Sequence, residues 1–149
     1  MNIIKTVDQY NIRHVYFNEP IQNTVIDNSK FIKIIYSNEE ITLNGIYIIL
    51  PITISSTESF FKKIKYSFDF STNKQILEKI FNIEKNILNK YDLKKEKKYL
   101  INDTLRSGYI KIFFNENEKK KSDQFILKIS GLWENETEYG LTFKFLSIC

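Results

Sequence analysis

Residues Gln124 to Phe145 read QFILKISGLWENETEYGLTFKF, and the alternation in this stretch decides the fold class. Phe125, Leu127 and Ile129 fall on one side of an extended chain while Lys128 and Ser130 fall on the other, the period of two of a strand covered on one face. Leu141, Phe143 and Phe145 repeat the pattern after an acidic loop from Glu134 to Glu138, with Thr142 and Lys144 turned the other way. If the two strands pair, Lys128 and Lys144 share one outward surface.

Working outward, strand signals fill the first third of the chain at Asn11 to Phe17, Lys30 to Tyr36 and Ile41 to Leu50, with Ser37 to Glu40 suited to a hairpin loop. Pro51 marks an exit or an edge, because a proline inside the strand would cost a ladder hydrogen bond. Ile64 to Phe70 sets Ile64, Tyr66, Phe68 and Phe70 against Lys63, Lys65, Ser67 and Asp69. Thr72 and Gln75 have the spacing of a capping box, and Ile76, Ile80, Ile83 and Ile87 follow at helical spacing. Leu77, Phe81, Leu88 and Tyr91 widen the stripe into an amphipathic helix over about 73–91. Lys94 to Lys98 reads as a solvated helix end or loop, Tyr109 to Phe114 as a strand, and Asn115 to Asp123 as a loop. The expected fold class is mainly β (α+β): a single OB-like domain over residues 1–149, a Greek-key β-barrel with extra strands and the one helix. A β-sandwich with one long helix is the competing arrangement.

At 149 residues and 42% hydrophobic content the chain supports one covered core. The net charge of +4 permits a polyanion partner without requiring one. Alanine is absent, and Arg13 and Arg106 are the only arginines among 22 basic residues, so AT-rich codons account for much of the Lys and Asn. A lone Cys149 forms no internal disulfide, which argues for a reducing, intracellular setting. The longest apolar run, Ile46 to Ile54, is far short of a membrane span, and Met1 to Tyr10 lacks a signal core, so no membrane partner is expected.

Catalytic chemistry finds little footing. His14 is the only histidine, sits in an expected strand and has no Asp or Cys at motif spacing. The 4 glycines make no phosphate-cradling loop. Glu39–Glu40 and Glu116–Glu118 read as solubilising charge, so no metal, cofactor or catalytic residue is expected. A single-stranded nucleic-acid surface survives better, because it needs only lysines along a phosphate path and rings on which bases stack. The candidates are Lys63, Lys65, Lys111, Lys128 and Lys144, with Lys33 beside them and Tyr36, Tyr47 and Tyr109 as stacking rings. The plain alternative is that these are solvated lysines of an Asn- and Lys-rich protein. Scarce arginine points away from base readout and toward sequence-tolerant binding. Trp133 reads as a core or hairpin anchor, since its acidic neighbours would repel phosphate.

The order Leu127, Lys128, Ile129, Ser130, Gly131, Leu132, Trp133, a polar loop, then Tyr139, Gly140, Leu141, Thr142, Phe143, Lys144 resembles the C-terminal signature of small proteins of nucleocytoplasmic large DNA viruses. Those proteins look like relatives of phage-type single-stranded DNA-binding proteins with an OB-fold. Ile48 to Pro51 and Ser67 to Tyr91 extend the resemblance more loosely. It implies a non-enzymatic viral protein that coats single-stranded DNA during replication, recombination or repair, with the preference between DNA and RNA left open by the residues. It also implies residence in the host cytoplasm or a viral replication factory, or packaging in the virion. The apolar ending Phe145, Leu146, Ser147, Ile148, Cys149 departs from the acidic, aromatic-tipped tail of the phage-type relatives, which argues against tail-mediated recruitment. The alternative function is a structural or interaction module of a virion or replication factory, self-associating or pairing through an exposed strand edge.

Overall fold

The computed structural model describes residues 3–24, 28–113 and 124–148. The expected loop from Asn115 to Asp123 lies outside the described residues, as does Cys149. The alternating C-terminal stretch forms two long strands, β10 (Gln124–Glu134) and β11 (Glu138–Ile148), paired antiparallel with Lys128 directly opposite Lys144. Their connection is tight, because the Asn135 side-chain oxygen accepts the N–H groups of Thr137 at 3.0 Å and Glu138 at 2.8 Å.

The other edge of β10 serves two partners in succession. β5 (Ile46–Leu50) pairs with its first half and β3 (Lys30–Ser37) with its second. On its far edge β3 carries β1 (Val15–Phe17) and β2 (Ile21–Gln22), and β4 (Thr42–Asn44) pairs with the C-terminal part of β3. The stretch expected to be one strand from Ile41 to Leu50 is therefore two, split at Gly45 with φ 101°. A Cβ at Gly45 would stand 2.9 Å from the Ile129 carbonyl, so only glycine lets the chain leave β3 and join β10 at this corner. A register shift in β10 between Ile129 and Gly131 marks the same corner from the other side. Asn11 to Phe17 likewise divides, into a 3-10 turn at Ile12–His14 and β1.

A second sheet holds β6 (Ser56–Phe60), β7 (Lys63–Ser67) and β9 (Tyr109–Phe113). Its inner side chains Ile64, Tyr66, Ile110 and Ile112 are buried, and the Tyr66 ring meets Phe125 of β10 edge-on at 4.7 Å. Both sheets thus cover one core. β6 and β7 are joined by a two-residue turn, Phe61–Lys62, in which Lys62 takes φ 62°. A side chain in that left-handed region is strained, so Lys62→Gly is expected to stabilise the protein by about 1 kcal/mol in urea titration. An unchanged midpoint would show that the turn carries no such strain.

The overall shape is a curled, open half-barrel with two helices, α+β in class, and the expected closed Greek-key barrel is not formed. β9 runs near β11 without pairing, and α2 (Leu100–Arg106) packs against both, occupying the place where closure would occur. α2 was not foreseen, and neither was β8 (Glu96–Lys98), which pairs in parallel with the start of β11 through part of the lysine run.

The long helix α1 spans Lys74–Lys90 and buries Leu77, Ile80, Ile83, Ile87 and Leu88 of the expected stripe, with Ile76, Phe81 and Tyr91 half-buried at its margins. Its capping box does not form. The Thr72 hydroxyl and N–H both donate to Asp69. Asn73 instead ties the helix start to the segment after β5, accepting from the Thr53 N–H at 2.7 Å and donating to the Thr53 carbonyl at 3.2 Å. Glu84 sits fully buried within the apolar stripe. Its carboxylate accepts the N–H groups of Ile101 at 2.8 Å and Asn102 at 3.0 Å, the free donors at the start of α2. Burial pushes this carboxyl up to about 7 against the pull of those two hydrogen bonds, with the Asp103 charge adding to the rise.

Candidate nucleic-acid interface

The pleat of the three-stranded sheet turns alternate side chains outward in register. Glu58, Lys65 and Lys111 are successive cross-strand partners, as are Phe60, Lys63 and Phe113, and Ser56, Ser67 and Tyr109. The Tyr109 ring lies within reach of two of these cations, 4.3 Å from the Lys65 ammonium and 5.4 Å from that of Lys111. Lys63 stands 5.2 Å from the Phe60 ring. Cation–π contact of this kind orients a lysine without neutralising it.

The large sheet carries a matching band. Tyr47, Lys128 and Lys144 are successive partners across β5, β10 and β11, and the Lys128 ammonium stands 5.4 Å from the Tyr47 ring centroid. Lys33 lies further along, paired with Gly131 and half-buried. The two bands meet at a groove of about 420 Å³ between β9 and β11, whose lining includes Tyr109, Lys111 and Phe113 on one lip and Lys144 and Leu146 on the other. Phe143 and Phe145, 5.7 Å apart edge to face, and Thr104 of α2 complete the lining.

Two like-charged pairs stand directly opposite one another, Lys65 with Lys111 and Lys128 with Lys144. Such pairs cost the fold roughly 0.2–1 kcal/mol each. Among the described residues, none of Lys63, Lys65, Lys111, Lys128 and Lys144 has a carboxylate within 4.0 Å. Three lysines outside the two bands do pair with carboxylates: Lys79 with Asp8, Lys95 with Glu134, and Lys98 with Glu96 and Glu138. Positive charge is therefore left unbalanced on the outer faces flanking the groove.

Of the tyrosines expected to stack bases, Tyr109 and Tyr47 stand in the two bands. Tyr36 does not: it is 2% exposed, its hydroxyl accepts the Asn11 N–H at 3.1 Å, and the Lys5 ammonium lies 4.1 Å from its ring. Its place in β3, two residues past Ile34 and four past Ile32, puts it on the inner face. His14 stands edge-on to that ring at 5.7 Å, a packing role. Trp133 lies at the loop end of β10, half-buried, with its ring against Gly140 of β11. Sequence reasoning did not single out the exposed rings Phe60, Phe61 and Phe113, although each stands within two residues of a lysine, Lys62, Lys63 or Lys111. Among the described residues no cluster of His, Cys, Asp and Glu is placed to hold a metal ion. No family model matches the chain, and the comparisons with curated proteins and solved structures found no match.

Proposed function

We propose that the chain is a non-enzymatic, sequence-tolerant binder of single-stranded DNA, with Lys63, Lys65, Lys111, Lys128 and Lys144 meeting phosphates and Tyr109 and Tyr47 offering faces for bases. The observation that carries this reading is the pair of directly opposed lysines on each side of one groove, Lys65–Lys111 and Lys128–Lys144. A fold gains nothing from such pairs, and a polyanion laid across them relieves the repulsion while releasing its counterions. Rings beside the cations suit single strands, whose bases are free to stack, better than duplex. The scarcity of arginine supports phosphate-led contact over base readout. A curled, mainly antiparallel sheet with one long helix is compatible with an opened and elaborated OB plan, and the resemblance of the C-terminal pattern supports a role in viral DNA replication, recombination or repair.

The test is fluorescence anisotropy of a labelled mixed-sequence single strand at two salt concentrations, with duplex DNA and RNA as competitors. Micromolar or tighter binding that weakens with salt and resists duplex competition is expected. Absence of binding at low salt would sink the proposal.

A further inference from the structure

The outer face of the three-stranded sheet is graded along its strands. The row nearest the β6–β7 turn is Phe60, Lys63 and Phe113, the next is Glu58, Lys65 and Lys111, and the last is Ser56, Ser67 and Tyr109. Past the first row lies the turn itself, Phe61–Lys62. Phe61 is 82% exposed, Phe113 73% and Phe60 43%. A single exposed apolar residue needs no explanation, but three phenyl groups gathered at one protrusion do. The turn also breaks its local rule, placing Phe and a left-handed Lys where Asn-Gly would close a hairpin with less strain. Sequences that forgo an easy local choice do so at sites of interaction.

We propose that this tip docks the protein on an anionic lipid surface, with Phe60, Phe61 and Phe113 entering the boundary between headgroups and acyl chains and Lys62, Lys63, Lys65 and Lys111 meeting the lipid phosphates and carboxylates. The order along the sheet, an apolar tip around Lys63, then a row of two lysines and Glu58 with a net positive charge, then a neutral polar row, follows the order of depth that a bilayer interface presents. Lysine stems reach along apolar surface while their ammonium groups stay with the headgroups, which suits Lys63 in the row between two phenyl rings. A second copy of the chain is the poorer occupant, because two such tips would bring their lysines together. A nucleic-acid strand is also poorer for Phe61, which lies in the turn past the end of the lysine-bearing face. The inference is independent of the nucleic-acid reading but shares Lys63, Lys65 and Lys111 with it, so vesicles and oligonucleotide should compete.

The experiment uses Phe61→Trp with vesicles of phosphatidylcholine, with and without phosphatidylserine, and Trp133 as a fixed background. A blue shift and quenching by acyl-chain bromines are expected with the anionic vesicles only. In co-sedimentation, Phe61→Ser should weaken vesicle binding roughly tenfold with its salt dependence unchanged, since an exposed ring is lost and no charge. Thermal melts equal to the parent protein's establish that both variants are folded. Equal association with neutral vesicles, or no blue shift, overturns the proposal. So does a Phe61→Ser variant that loses affinity for single strands and not for vesicles, which would assign the tip to nucleic acid.

Discussion

A chain carrying Lys111→Glu and Lys144→Glu together is expected to lose single-strand affinity by roughly 100-fold at low salt, while melting no lower than the parent protein. Both lysines are exposed and line the groove from opposite lips. Removing two phosphate contacts should flatten the dependence of log K on log salt by about 1.4, and the introduced carboxylates add repulsion on top. The stability half of the result follows from register. Each new Glu stands directly across from a lysine, Lys65 in one case and Lys128 in the other, so two repulsive pairs become two attractive ones. Affinity and stability should therefore move in opposite directions, which general damage to the fold cannot produce. Lys128→Ala with Lys144→Ala should weaken binding to all sequences alike, and Lys79→Glu, altering a lysine already paired with Asp8, should leave binding close to that of the parent. A double reversal that binds normally would remove the groove from the site.

Glu84 carries the second large effect, on stability against pH. Its carboxyl is pushed up by burial to about 7 from an ordinary value of 4.5, so between those limits the folded chain holds a proton that the unfolded chain has lost. Native protonation exceeds unfolded protonation across that window, and the stability present below it falls as pH rises, levelling off above about 7. The shift corresponds to a loss on the order of 3 kcal/mol from this group. Asp69 works in the other direction: its hydrogen bonds from Thr72 hold its carboxyl below the usual range, so its contribution is lost as pH falls. The comparison with Glu84→Gln isolates the buried group. The amide keeps one acceptor for the start of α2 and turns a donor toward the other N–H, a cost of about 1–2 kcal/mol at pH 5. The gap between the two proteins should close and then reverse by pH 8, as the parent loses stability and the variant does not. Parallel urea midpoints from pH 5 to pH 8 would refute this account. Because α2 packs on both β9 and β11 and contributes Thr104 to the groove, loosening it should also reach the binding surface.

What could be read from the residues was whatever depends on near neighbours. The inward row Phe125, Leu127, Ile129, the strand β3 and the stripe of α1 all follow from periodicity, and the pairing of Lys128 with Lys144 follows from the hairpin. Tyr36, expected as a stacking ring, was misread although it shares the parity of Ile32 and Ile34. β6 was not, because all five of its residues are exposed and no alternation survives without a buried face. β8 is a strand only because β11 lies beside it, and α2 has its first donors satisfied by Glu84 from another helix. The division of Ile41 to Leu50 depends on the Ile129 carbonyl, some 80 residues away along the chain, and barrel closure depends on where α2 comes to rest. The lysines of the candidate site were visible one by one, but their convergence on two lips of a groove is a property of the assembled sheets.

The position of β10 at the centre of the large sheet has a consequence for synthesis. β3 and β5 are translated early and find their shared partner only after most of the chain has been made. Until then each offers an open row of amide and carbonyl groups on an apolar ribbon, which invites pairing with other nascent chains. Folding on the ribosome therefore cannot proceed element by element from the N-terminus; it waits for the hairpin of β10 and β11 to leave the exit tunnel and gather the earlier strands onto itself.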